Sequence, residues 1–333
     1  MNFTHYDVLP QICKALKEAG AEEQVFFETN FPPNSADMLD YKGFSEIYAC
    51  LRSDTRNEFL RIMQKLCSAS HVTSVQLGVS SHAVDDSLVS AVADYIRSTL
   101  TLQKLHLILY CDPAFLVPRN GFLKAIILSL AQNASVKELH MKVPEMENEE
   151  IDLLARTVKS LQNIQRMYFV PERARDANRF FSVLSEDIAS NYTLLSLTVD
   201  VSVDEVQAAR DWFLVWDTTR RNSGLLNRAA LFVSGTRCDR PCGEAVEWMC
   251  RHPALPQRVV ELASVNEAQA AAKVRDAVKA LEDMNQYMRL TGVVSRCVVC
   301  LPSRDGSAQL DDLNEDCWRV IRRYLLLADV RIP

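Results

Sequence analysis

The sequence predicts an α/β fold: a solenoid of stacked strand–helix units with a parallel sheet on its concave side and helices on its convex side. Three observations predict it. A six-residue pattern, apolar-x-x-apolar-x-apolar, recurs along the middle of the chain at nearly constant spacing. Every interval between copies carries apolar residues at three- and four-residue spacing, the period of a helix with one buried face. Glycine is scarce, at 9 of 333 residues, which disfavours propellers and multi-hairpin sandwiches built on glycine turns.

The pattern is carried by Val72, Val75 and Leu77; by Leu102, Leu105 and Leu107; by Val136, Leu139 and Met141; by Ile164, Met167 and Phe169; and by Leu194, Leu197 and Val199. A weaker sixth copy runs through Leu226, Ala229 and Leu231, and an earlier one through Phe44, Ile47 and Ala49. From residue 72 to residue 226 the steps are 30, 34, 28, 30 and 32 residues. The intervening helical stripes are Leu88, Val92, Tyr95, Ile96 and Leu100; Phe122, Ala125, Ile126, Leu128 and Leu130; Ile151, Leu154, Val158 and Leu161; and Phe180, Val183, Leu184 and Ile188. Thr99, Asn133 and Asn191 stand three residues ahead of their strands, where a helix must end and the chain must turn. One such unit cannot bury both its strand and its helix stripe, whereas stacked units bury both in a continuous core.

The segments LSLAQNASVKELHM (128–141) and EDIASNYTLLSLTV (186–199) resemble the ribonuclease-inhibitor-like class of leucine-rich repeats, also found at the C-terminal end of NOD-like receptors. The resemblance covers 44–262 and implies a horseshoe that binds a protein or peptide on its concave face. It departs from the class after the strands, where Asn or Cys usually bonds the turn backbone: the residues there are Ser80 and Ser81, Tyr110 and Cys111, Pro144, and Pro171, with Cys111 the one match. The turns must then be held another way. No G-x-x-x-x-G-K-[ST] occurs, so a phosphate-cradling nucleotide module of the receptor type is not expected.

Outside this region the sequence predicts caps at residues 1–43 and 263–333. A helix over residues 6–19 stops at Gly20 and is followed by a Pro/Asn loop at 30–34. After residue 232 the expected order is a loop at 235–241, a helix at 244–250, a last strand at 258–262, a long alanine-rich helix at 267–290 with a stripe of Val274, Ala277, Val278, Leu281 and Met288, and a strand at 293–301. Residues 313–330 are similar to the opening of an F-box, with Leu313, Trp318, Ile321 and Leu325 as the apolar stripe. That similarity implies contact with the adaptor of a cullin-based ubiquitin ligase. A C-terminal capping helix with Trp318 buried is the simpler reading, because likeness of a short segment is a weak functional warrant.

Composition narrows the function classes. Net charge is −6 and no Lys/Arg-rich run occurs, so nucleic-acid binding is not expected. No apolar run approaches the length that spans a bilayer, and the first residues lack the basic and apolar regions of a signal peptide. With 10 cysteines, the expectation is reduced thiols in the cytosol or nucleus, not a secreted disulfide framework. Cys238, Cys242, Cys250 and His252 have zinc-ligand chemistry but loose spacing. Cys297 and Cys300 form a C-x-x-C in a strand-like run, which would send them to opposite faces. The acidic pairs Glu149–Glu150 and Asp311–Asp312 suit helix starts. No catalytic residue, cofactor or metal is expected.

The expected binding residues are therefore the outward strand positions: Lys104, His106, Glu138, His140, Arg166, Tyr168, Thr198 and Arg228, with Ser74, Gln76, Ser196 and Ala230 beside them. They mix charge sign and include Tyr and Arg, types enriched at binding hot spots. A shallow ribbon of this kind suits a protein or peptide better than a small molecule, which prefers a deep apolar pocket.

Overall fold

A computed structural model describes residues 9–21, 25, 36–51, 55–80, 83–110, 121–200, 205–293 and 313–330. The chain divides into two compact units, Met1–Thr219 and Arg220–Pro333.

The first unit opens with α1 (Leu9–Glu18), which ends at Gly20 in the left-handed conformation, φ +64°. A 3-10 turn, Ala36–Asp40, follows. Leu9, Cys13, Ala36, Met38 and Leu39 join the unit's single apolar core. Strands and helices then alternate: β1 (Glu46–Leu51), α2 (Arg56–Leu66), β2 (Ser74–Ser80), α3 (Asp86–Ser98), β3 (Lys104–Tyr110), α4 (Phe122–Leu130), β4 (Glu138–Val143), α5 (Asn148–Ser160), β5 (Arg166–Pro171), α6 (Ala174–Ser185), a 3-10 turn at Ile188–Ser190, and β6 (Ser196–Val199). The six strands form one parallel sheet in the order β1-β2-β3-β4-β5-β6. Neighbours pair at register steps of 28, 30, 34, 28 and 30 residues. The steps of the sequence pattern from residue 44 to residue 194 are thus the steps of the sheet. Each strand begins two residues after the first apolar residue of its copy, because Val72, Leu102, Val136, Ile164 and Leu194 are buried in the turn that enters the strand.

Strand side chains alternate between two faces. Ile47, Ala49 and Leu51 on β1, Val75, Leu77 and Val79 on β2, and Leu105, Leu107 and Leu109 on β3 are buried, as are Leu139, Met141 and Val143 on β4, Met167 and Phe169 on β5, and Leu197 on β6. The alternate residues other than Gly78 remain partly or largely exposed. Helices therefore cover one face, as consecutive crossovers of one hand require. The helix stripes are buried or, at Ala125 and Val183, partly buried, with two exceptions: Leu100 is 84% and Leu128 45% exposed. Leu100 lies beyond the end of α3, and Leu128 points to solvent from α4.

The turns from helix to strand are held by side chains that reach back one unit. Asn133, 3% exposed, donates through Nδ2 to the carbonyls of Ile96 (2.7 Å) and Thr99 (3.0 Å). Its Oδ1 accepts from the N–H groups of Ser135 and Val136, both at 2.8 Å. Asn191 accepts from Thr193 and Leu194, both at 2.9 Å, and donates to Lys159 O at 3.0 Å. Asn163 Nδ2 donates to Asn133 O and Val136 O, and Thr101 Oγ1 to Val72 O. A buried turn must satisfy its backbone groups; here the asparagine sits before the strand, not after it. Of the post-strand positions, Ser81 and Cys111 lie outside the described residues.

The sixth copy does not form a strand. Residues 226–231 are part of α7 (Val206–Ser234). Its first turns belong to the first unit: Val215 is in the core, and Trp212 stacks on Phe181 with ring centroids 4.9 Å apart. Among the described residues the sheet runs to β6, and the two compact units meet at 219/220. The physical reason is local. Residues 223–231 are Ser, Gly, Leu, Leu, Asn, Arg, Ala, Ala and Leu, with no β-branched or aromatic residue, and Asn222 lies inside the helix rather than ending it. Leucine, arginine and alanine favour the helix, and the run has none of the β-branched or aromatic residues that each of the six strands carries.

The second unit is helical as described. After α7 come α8 (Arg240–Met249), α9 (Leu255–Ala263), α10 (Glu267–Leu281), α11 (Met284–Thr291), α12 (Glu315–Arg322) and a 3-10 turn, Leu327–Asp329. The strand expected at 258–262 is part of α9. The long helix expected at 267–290 breaks at Glu282–Asp283, where Asp283 caps α11 by accepting from Asn285 N at 2.7 Å. The loop at 30–34 and the strand expected at 293–301, apart from Val293, lie outside the described residues.

Within this unit a buried ion pair holds the last segment. Arg322 Nη2 lies 2.7 Å from Glu247 Oε1, with side chains 8% and 12% exposed. The guanidinium sits 4.7 Å from the centre of the Tyr287 ring. Glu247 Oε2 also accepts from Leu327 N at 3.0 Å. Leu327 is fully buried beside Gly243, where an added Cβ would lie 2.8 Å from Leu327 Cδ1. A side chain there would oblige the Leu327 terminus to shift.

Candidate functional site: the open face of the sheet

Parallel pairing places the open-face residues of β1–β6 in rows that cross the strands. The first row is Glu46, Ser74, Lys104, Glu138, Arg166 and Ser196. Glu138 is flanked by two cations: Arg166 Nη1 is 2.5 Å from Oε1 and Lys104 Nζ 4.0 Å from Oε2. With Arg166 64% and Lys104 46% exposed, these pairs contribute at most about 1 kcal/mol each.

The second row is Tyr48, Gln76, His106, His140, Tyr168 and Thr198. Three of its rings touch in sequence. His106 and His140 have centroids 5.0 Å apart, and His140 meets Tyr168 edge-on at 4.4 Å. Strand spacing in a parallel sheet is about 4.8 Å, so identical register alone brings these rings into contact. The Tyr168 hydroxyl donates to Asp200 Oδ2 at 3.4 Å. Both imidazoles are held below the usual histidine range. For His106 burial is the main cause, followed by Lys104, with Glu138 and Glu46 opposing. For His140 it is burial, then His106 and Lys142.

The third row is Cys50, Gly78, Ile108, Lys142 and Val170. Gly78 leaves room for its neighbours to fold over β2: an added Cβ would lie 3.2 Å from Tyr110 Cε2, 3.3 Å from Tyr48 Oη and 3.4 Å from Cys50 Sγ. Burial pushes the Tyr48 hydroxyl up, reinforced by hydrogen bonds to Cys50 and Tyr110.

Seven of the eight expected binding residues, Lys104, His106, Glu138, His140, Arg166, Tyr168 and Thr198, thus lie on one face. Arg228 does not: it is on α7 in the second unit, and its neighbour Ala230 is buried rather than outward-facing. Sequence reading missed Tyr48, Cys50, Gly78, Ile108, Tyr110, Lys142 and Val170. Tyr48 lies inside the earliest copy, whose outward positions were not read; for the others the six-residue window stops short, since β2 and β3 run on to Ser80 and Tyr110. Continuing the alternation two residues would have found the third row.

At the C-terminal end Asn314 caps α12, accepting from Cys317 N at 2.9 Å. Leu313, Trp318 and Leu325 are half-buried and Ile321 is 36% exposed. The expected apolar stripe is therefore not the buried one; Arg322 and Leu327 are the anchors. Val320, Tyr324 and Leu326 are exposed.

Of the cysteine–histidine group, Cys238 is exposed and Cys242 buried. Burial pushes the Cys242 thiol up to about 11, with Asp239 reinforcing. His252 Nδ1 accepts from Ala254 N at 3.1 Å. Among the described residues no three His, Cys, Asp or Glu side chains are grouped to hold a metal ion. Cys297, Cys300 and the Asp311–Asp312 pair lie outside the described residues. Glu150 does sit at a helix start, its Oε2 accepting from Glu147 N at 3.0 Å. No described helix is long and apolar enough to cross a membrane.

No protein-family model matches the chain, and no curated protein matches it in sequence.

Proposed function

We propose that this chain is a leucine-rich-repeat solenoid of the ribonuclease-inhibitor type and acts as a non-enzymatic, cytosolic or nuclear scaffold that binds a protein or peptide. The sequential parallel sheet with helices on one face supports the architecture. Helices near 10 Å wide over strands about 4.8 Å apart favour curvature, with the open face inside. The observation that carries the binding role is the His106–His140–Tyr168 ring row, 5.0 and 4.4 Å between centroids, bordered by Lys104, Glu138 and Arg166 on the sheet face opposite the buried core. Tyr and Arg are over-represented among residues that carry interface energy.

Affinity capture with mass spectrometry tests it, comparing wild type with the Arg166→Ala/Tyr168→Ala double variant. The expected outcome is loss of a partner from the double variant. Identical partner sets would remove the binding role from this face.

A second reading is a substrate receptor of a cullin-based ubiquitin ligase. The exposed apolar side chains Val320, Tyr324 and Leu326 around α12 favour it. It expects adaptor capture that is lost on Trp318→Ala or Leu325→Ala with circular dichroism unchanged.

A further inference from the structure

The charges of the open face are unevenly placed. The central strands β3, β4 and β5 present Lys104, Lys142 and Arg166 against one carboxylate, Glu138. Lys142 is exposed and makes no ion pair or hydrogen bond with the described residues. β2 and β6 present only uncharged residues, among them Ser74, Gln76, Ser196 and Thr198. The other acidic groups stand at the ends of the rows: Glu46 on β1, two strands from Lys104, and Asp200 after β6, bonded to Tyr168. The middle of the face is thus locally positive on a chain whose net charge is −6.

We infer that the occupant of this face is an acidic segment of a protein partner, its carboxylates seated over His106 and His140 between Lys104 and Lys142. The inference rests on the binding-face reading and gives the partner its chemistry. A carboxylate placed there lies over two imidazoles one strand spacing apart, with Lys104 two residues before His106 on β3 and Lys142 two residues after His140 on β4. A basic segment would meet the same cations and be repelled.

The imidazoles make the contact sensitive to pH. Around them stand Glu46 and Tyr48 on β1, Lys104 on β3, Glu138 and Lys142 on β4, Arg166 and Tyr168 on β5, and Asp200. Imidazole is the side chain whose ordinary range falls between pH 5 and 8. Burial, with Lys104 beside His106 and with His106 and Lys142 beside His140, holds both rings below the ordinary imidazole range in the free protein. An anion over them favours the charged form, so binding takes up protons and tightens as pH falls through the imidazole range.

The test is selection of a displayed random peptide library on the full wild-type chain, counter-selected on the Lys142→Glu/Tyr168→Ala variant, with folding checked by circular dichroism. Enrichment of Asp and Glu is expected. A synthetic copy of a selected peptide should bind about tenfold more weakly to Lys142→Glu, the order of a charge reversal near the surface. Its affinity for wild type should rise roughly threefold per unit fall in pH near neutrality, and this rise should vanish in His106→Gln/His140→Gln. Enriched peptides that are basic or uncharged would overturn the acidic-segment inference and leave the binding face standing. Acidic peptides that bind Lys142→Glu as well as wild type would also overturn it. Recovery of no peptide that separates wild type from the variant would overturn both readings.

Discussion

The two units of this chain are held by opposite means. The first is closed by layers of aliphatic side chains repeated strand after strand, with Leu77, Leu107, Met141 and Phe169 all fully buried in register. The second anchors its last segment at a few singular contacts: the charge pair of Arg322 with Glu247, roofed by Tyr287, and buried Leu327. Non-directional burial tolerates small changes if volume is kept. A buried ion pair is unforgiving, since removal of one partner strands the other. The comparison teaches that repetition distributes stability, whereas a singular contact concentrates it.

The largest effect is expected where the repeated core is emptied. Phe180 is fully buried, with its ring 4.9 Å from Phe169 and 6.1 Å from Phe181. Phe180→Ala should cost about 4 kcal/mol in urea unfolding; a loss under about 1 kcal/mol would show that distributed packing absorbs even a large void. Next comes Glu247→Ala, expected to cost about 3 kcal/mol, with faster hydrogen exchange in residues 315–330 and no change in β1–β6. Glu247→Gln should cost less, because its amide oxygen still accepts from Leu327 N. Equal losses in the two variants would mean that the charge matters and the cap does not.

A smaller loss is expected from Asn191→Ala, which removes three hydrogen bonds from a turn 4% exposed. About 2 kcal/mol is the expected cost, with exchange rising first at Thr193 and Leu194. The smallest effect concerns pH. His106 and His140 are held below the ordinary value of about 6.5. Just under that pH the unfolded chain binds more protons than the folded one. Stability is therefore intact above about 6.5 and is lost as pH falls towards the folded values. His106→Gln/His140→Gln should flatten that acid limb in melts between pH 7 and 5; an unchanged limb would place its origin elsewhere.

Much of the first unit was legible because burial alternates with period two in strands and with a helical period between them. Five copies of the pattern, and the earlier one at Phe44, became the six strands. What misled was the sixth, where Ala229 and Leu231 satisfy the pattern in a run that has no β-branched or aromatic residue. Apolar spacing proposes a strand, but the residues between the apolar positions weigh too. The site was legible to the same depth: seven residues of the first two rows followed from alternation, while Gly78 and Lys142 fell outside the window. Arg322, Glu247 and Tyr287 were illegible, being 75 residues apart at the widest and brought together only by the packing of α8, α11 and α12.

The order β1 to β6 also has a temporal meaning. Each strand's template is the one made just before it, about thirty residues earlier. A chain emerging from the ribosome at about 5–20 residues per second offers each new strand a finished edge within seconds. Assembly can therefore proceed vectorially, one unit per few seconds of synthesis, and α7 seals the growing end once β6 is in place.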